Sequence, residues 1–297
     1  MKRVILVLSL LITFVPVTAQ AMSDAQLVSH LKQVYNGWRT AMIKKDSASW
    51  KRLTSTSRQV SVRNRIWSER RAFPSAVFLA PGTPPDINSL SAKRVRVQGQ
   101  TAKAVYFGKV DFGVGGTPTD NVYVVSYVKE GTIWKYHEAE FVKLDVIPEV
   151  RKQLKAGNLA FVDTPDFIPN GVIPTIPTAI RGPVKYIAKS YVFCPGREVN
   201  VTVNGSSSHL YQNTKRSDIV IGGARDGVNE MKFTIKDIPG GDPKAAITVR
   251  TYLMSEQQGV QPIKIAEYQI SDGSKPKTSG VVKFNVTPEI AARLRAR

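Results

Sequence analysis

Apolar residues near the start of the chain recur at helical spacing. Leu27, Leu31, Val34, Trp38, Ala41 and Met42 share one face of a helix that Ser23 can cap, with Asp24 favourably placed in its first turn. Asp46 to Leu53 predicts a second, short helix with Trp50 and Leu53 inward. Ser57 to Arg71 predicts a third, ending before Phe73-Pro74, and Pro81, Pro84 and Pro85 mark a loop. The period then changes to two. Lys93–Gln98, Thr101–Asp111, Asn121–Lys129 and Thr132–Val142 read as four strands joined in sequence. Helices followed by an antiparallel meander predict an α+β domain over residues 22–145.

The pattern changes again beyond that domain. Residues 146–183 contain Pro148, Pro165, Pro169, Pro174, Pro177 and Pro183, which predict an extended, stiff linker with one helical turn from Glu149 to Lys155. Its apolar residues, including Phe161, Phe167 and Ile173, predict that it lies against a domain surface. Residues 184–286 alternate through strand after strand and contain no Trp, so a β-sandwich is expected. Asn204-Gly205 and Asp226-Gly227 are its clearest turn signals. The layout looks immunoglobulin-like, without the Cys pair and buried Trp of true immunoglobulin domains. A short basic helix over 287–297 ends the chain.

The stretch VYNGWRTAMIKKDSASWKRL, Val34 to Leu53, resembles the opening of the NTF2-like (SnoaL-like) superfamily. The resemblance covers roughly residues 24–143. It implies a sheet curled into a cone around a pocket. It does not imply a reaction, because the superfamily holds isomerases, hydrolases and dehydratases beside members that only bind or scaffold.

Hairpin register gives that pocket a lining. Taking Glu130-Gly131 as a two-residue turn pairs Tyr127 with Trp134, Val125 with Tyr136, Tyr123 with Glu138, and Asn121 with Glu140. One face then carries Asn121, Tyr123, Tyr127, Trp134 and Tyr136, with Glu138 and Glu140 toward one end. His137 falls on the other face with Val124. A carboxylate among aromatics has its charged form desolvated and its pKa raised, so Glu138 or Glu140 is a candidate general acid–base. The competing expectation is a packed wall and a protein that binds rather than catalyses.

Other chemistry is sparse. Cys194 is the one cysteine, in VFCPG with no neighbouring His, and reads as a buried apolar residue. His30, His137 and His209 have no metal-ligand spacing. GVGGTP at 113–118 and IGGARDG at 221–227 do not link a strand to a helix, so they read as loops, not phosphate cradles. No cofactor is expected. Asp111 heads a DFG triplet with no accompanying kinase motif.

Charge and address complete the picture. Lys2 and Arg3, the apolar run Val4 to Val15 and Ala19-Gln20-Ala21 form an export leader, residues 1–21, with cleavage before Met22. The protein is therefore expected in the periplasm or outside the cell. The formal charge is +19, or +17 without Lys2 and Arg3. Arg63, Arg65, Arg70 and Arg71 cluster around Trp67, opposed by Glu69. A turn at Gly99-Gln100 pairs Arg96 with Lys103 and puts Arg94 on the same face. Like charges facing each other on a sheet repel, so these residues are the expected contact for an anion. An anionic envelope polymer or a protein is the expected partner. No nucleic-acid-binding motif accompanies the charge.

Overall fold

A computed structural model describes residues 24–295, so the expected leader and its cleavage site lie outside the described residues. Three helices come first: α1 (Asp24–Lys44), α2 (Ser47–Leu53) and α3 (Thr56–Ser68). Leu31, Val34, Tyr35, Trp38 and Ala41 of α1 are buried, the inward face that the spacing predicts. Asp46 caps α2 by accepting from the Ser49 N–H at 3.1 Å. The strands β1 (Ser91–Gln98), β2 (Thr101–Val110), β3 (Thr119–Glu130) and β4 (Ile133–Lys143) form one antiparallel sheet in sequence order. The helices cover one face, where Tyr106, Tyr123, Tyr127, Trp134 and Tyr136 join the α1 residues in a single core.

The opposite face is also covered. Val105, Phe107, Val122 and Val124 pack against Leu144, Leu154, Val162 and Phe167. Leu154 belongs to α4 (Pro148–Lys155), and Val162 and Phe167 to two 3₁₀ turns of the Pro-rich segment. That segment is thus a strap over the sheet, and it gives the region three layers. Burial on both faces explains why β3 reads as an almost unbroken apolar run, Val122 to Val128, instead of strict alternation. Polar contacts fasten the strap. Arg94 bonds Asp163 at 2.9 Å, Arg96 bonds the Val162 carbonyl at 2.9 Å and also Asp163, and Lys103 donates to the Asp166 carbonyl at 2.6 Å. Burying a large apolar side chain contributes about 1.5–3 kcal/mol, whereas an exposed ion pair contributes about 0–1 kcal/mol. Leu154, Val162 and Phe167 therefore hold the strap, and the ion pairs set its position. Gly99 is required where the strap crosses the β1–β2 turn: its φ is +52°, and a Cβ there would lie 2.6 Å from the Gly171 carbonyl oxygen.

The second region is all β. Strands β5 (Ile187–Phe193), β6 (Arg197–Val203), β7 (Ser207–Gln212), β8 (Lys215–Ile219), β9 (Gly227–Asp237), β10 (Ile247–Met254), β11 (Ile263–Ile270) and β12 (Ser279–Val286) form two antiparallel sheets. Their orders are β11-β10-β5-β8 and β12-β9-β6-β7. One core joins them: Ala188, Val192, Val249 and Leu253 of the first meet Val199, Val201, Met231 and Phe233 of the second. Cys194 is buried in that core, and burial pushes its thiol pKa up, as expected of a structural residue. The chain closes with α5 (Pro288–Arg293), N-capped by Thr287.

The C-terminal end of α3 joins the two regions. Trp67 accepts from the Val184 N–H at 3.1 Å, and Ser68 Oγ accepts from Gly222 at 3.0 Å. Asn64, 1% exposed, donates to the Thr178 carbonyl at 2.8 Å and accepts from Ile180 at 3.1 Å. Arg70 donates to the Lys185 carbonyl at 2.8 Å and pairs with Glu256 at 2.8 Å.

Candidate ligand groove and basic surface

The β3–β4 turn decides what the sheet presents. Glu130 pairs with Ile133, so the turn residues are Gly131 and Thr132, not Glu130 and Gly131. Gly131 has φ +62° while Thr132 keeps an ordinary φ, as in a turn with Gly at its first central position. A one-residue turn error displaces each partner by two, so Tyr127 still faces the core but pairs with Tyr136. A bulge then intervenes. Tyr127 pairs with Tyr136, the next pair is Ser126 with Glu138, and His137 is the extra residue. Beyond it the alternation is inverted: Ala139 and Phe141 stand opposite Val125 and Tyr123, while Glu138 and Glu140 stand opposite Ser126 and Val124. The two carboxylates therefore lie on the other side of the sheet from the aromatic residues. This corrects the expected placement of Glu138 and Glu140 beside Tyr123 and Asn121.

The aromatic side opens into a groove of about 460 Å³ between α1, the residues 78–85 loop and the β3–β4 pair. Its floor includes Trp38, Tyr123, Tyr136 and Ala139, and its rim includes Ile43, Val114 and Phe141, all three exposed. Trp38 stacks on Tyr136 with ring centres 3.7 Å apart. The Trp38 indole N–H is buried and has no hydrogen-bond partner. Tyr35 donates to the Pro85 carbonyl at 2.8 Å and lies 3.1 Å from the Tyr123 hydroxyl, and Arg39 donates to the Pro84 carbonyl at 2.8 Å. These bonds hold the loop over α1. Burial pushes the Tyr123 hydroxyl pKa up to about 12, so it stays protonated at neutral pH. Among the described residues, no carboxylate, His or Cys lines the groove, and Lys45 is its one cationic residue.

The other expected lining residues lie deeper. Tyr127 and Trp134 are packed in the core, 1% and 5% exposed. Asn121 donates to the Thr119 carbonyl at 2.8 Å, outside the groove.

The expected anion contacts are occupied from within the chain. Asp163 is shared by Arg94 and Arg96, and Lys103 reaches the strap backbone. The anion between these like charges is thus the protein's own carboxylate. Arg65 and Arg71 both pair with Glu69, at 3.2 and 3.3 Å, and Arg70 is committed to the junction. The Arg63 guanidinium sits over the Trp67 ring at 5.0 Å, and Trp67 also meets Phe73 edge-on, so that indole is not a free stacking platform.

A different cation escaped sequence reading. Arg197 has no exposed surface and is the largest fully buried side chain among the described residues. The signal was its phase: it lies two, four and six residues before Val199, Val201 and Val203, all inward-facing on β6. An arginine at the head of a strand reads as an edge charge unless that alternation is followed back to it.

Compared with known proteins, the chain matches no family, no curated protein and no solved structure. Among the described residues, no helix is long and apolar enough to cross a membrane, and no group of three His, Cys, Asp or Glu side chains could hold a metal ion.

Proposed function

We propose that this is an exported binding or assembly protein of the cell envelope whose first region, an NTF2-like cone, takes an apolar ligand in the groove beside Trp38. The observation that carries the reading is the bulge at His137. It presents Ala139 and Phe141 to the groove and turns Glu138 and Glu140 away from it. What remains is an apolar, aromatic lining with Lys45 at its edge, suited to a ligand with an apolar body. The leader supports export. The net charge of +19 supports an anionic partner in the same compartment.

The test is titration of the native protein with N-phenylnaphthylamine, whose fluorescence rises on transfer to an apolar site. Ala139→Leu fills the groove floor and should weaken binding by about tenfold, roughly 1.4 kcal/mol. Absence of binding by the native protein, or equal binding by both proteins with unchanged circular dichroism, would reject the groove.

A further inference from the structure

Arg197 is buried without enough acceptors. Its Nη2 donates to the Pro243 carbonyl. Its Nε lies 3.1 Å from Asp237 Oδ1, close enough for an ion pair but too poorly aligned for a hydrogen bond. Nη1 has no partner. A buried guanidinium with unused N–H groups is costly, and unless an acceptor is supplied the cost is unrelieved.

An opening for such an acceptor lies at the same place. Arg197 forms part of a cavity of about 600 Å³ whose other walls include Lys236, Lys244, Lys275, Ser274 and Thr278. Among the described residues Asp237 is the one carboxylate in that wall, so four cations face a single anion. Lys236 also pairs with Glu198 at 3.3 Å, whereas Lys244 and Lys275 form no ion pair among the described residues. The wall is held in shape by its backbone. The loop before Pro243 presses on the β5–β6 turn so closely that a Cβ on Gly241 would lie 2.0 Å from the Gly196 carbonyl oxygen. Lys244 is fixed at both ends, its N–H bonded to Asp242 at 2.8 Å and its carbonyl accepting from Gly273 at 2.8 Å.

We propose that this cavity binds a phosphate group, with Arg197 as the buried floor cation and Lys244 and Lys275 as the rim. The exposed ammonium groups of Lys244 and Lys275 meet the phosphate oxygens directly, and the Arg197 guanidinium, which has no exposed surface, adds its charge from behind the floor. The excess of positive charge favours phosphate over a singly charged carboxylate. The proposal rests on the anionic partner of the preceding reading and moves that contact from the arginine cluster to the second region. The phosphate can arrive free or as part of a polymer, and the arms of the test separate these sources.

The full mature chain is titrated with inorganic phosphate at constant ionic strength and followed calorimetrically, with acetate as a second titrant. Retention on immobilised long-chain polyphosphate is measured in parallel. The native protein should bind phosphate more tightly than acetate. The double variant Lys244→Glu, Lys275→Glu, whose positions are exposed, should fold as the native and bind phosphate at least about tenfold more weakly. The control Arg70→Glu, Arg71→Glu should bind phosphate as the native does. Phosphate binding with polymer retention, both lost in the lysine variant, supports a polymer-borne phosphate; phosphate binding alone supports the free ion. No phosphate binding by the native protein, or equal binding by the lysine variant, overturns the site. A native protein that fails here but still binds N-phenylnaphthylamine leaves the groove standing, so the two readings fail separately.

Discussion

His137 holds its Nδ1 2.8 Å from Ser55 Oγ. The same junction is fixed by the Ser55 N–H, which donates to the Tyr136 carbonyl at 2.8 Å. The bulged residue of β4 is therefore docked on the α2–α3 turn. Burial lowers the His137 pKa below 6.5; Glu138 raises it, Arg58 lowers it and Glu130 raises it, and the lowering influences win. The unfolded chain therefore binds more protons than the folded one near and below that value. The contribution of neutral His137 is fully present above pH 6.5 and is lost as pH falls through the depressed folded value. Melting temperatures of the native protein and His137→Gln should converge as pH falls from above 6.5 to well below it. Parallel curves over that range would count against the docking.

The bulge also marks the limit of what the sequence made readable. Helical spacing located α1, and alternation located β1 to β4, because both periods follow from backbone geometry. The Gly99-Gln100 turn was readable, and Arg96 does pair with Lys103. The turn at Gly131-Thr132 carried a usable signal, since a glycine at the first loop position is the residue that tolerates positive φ. The extra residue at His137 left no such mark. It follows from the docking of Ser55, a contact 82 residues away in sequence. The arginine partners were hidden for the same reason: Asp163 is 69 residues from Arg94. An excess of charge is legible in composition, but the pairing that consumes it is set by the tertiary structure.

Glu130 does for α3 what its own N-cap residue does not. Ser55 makes no capping bond through its side chain, which is turned to His137. Glu130 accepts instead from the Thr56 N–H at 2.6 Å and the Thr56 hydroxyl at 2.9 Å, and pairs with Lys135 at 2.9 Å. A carboxylate at a helix N-terminus is stabilised by the orphan N–H groups there. Glu130→Ala should cost about 1–2 kcal/mol in urea unfolding, and Glu130→Gln less, since an amide oxygen still accepts. Burial raises the Glu130 pKa, but Lys135 and Thr56 outweigh it and hold it below 4.5. Its contribution is therefore present above pH 4.5 and lost as pH falls below it. A midpoint unchanged in Glu130→Ala would show that α3 does not depend on this cap.

Export should remove residues 1–21 and leave Met22 at the N-terminus, because Ala19-Gln20-Ala21 follows a short apolar run. The intact mass of the exported protein decides this. A retained leader would tether the chain to the membrane and change which partners it can reach.

Asn64 ties the first region to the strap by two bonds of opposite sense, donating to Thr178 and accepting from Ile180. Its neighbour one turn on, Ser68, donates to the Asn64 carbonyl at 2.7 Å and accepts from Gly222 in the second region. The Asn64 side chain thus holds the strap, while its backbone carbonyl anchors the Ser68 hydroxyl that reaches the β8–β9 loop. Asn64→Ala removes both bonds at once, and because Thr178 is exposed and Ile180 half-buried, water takes up part of the loss and the cost should be about 1–2 kcal/mol. Asn64→Asp keeps the acceptor for Ile180 but sets a carboxylate against the Thr178 carbonyl, so it should be at least as damaging. Because the loss falls on the junction and not on either core, the two regions should separate in their response. Cleavage within residues 169–183 by a non-specific protease should accelerate in Asn64→Ala. The native thermal transition should broaden or divide, while N-phenylnaphthylamine binding below that transition is retained. Equal cleavage rates and an unchanged single transition would show that the two regions are joined by other contacts, with Arg70 and Glu256 the next pair to remove.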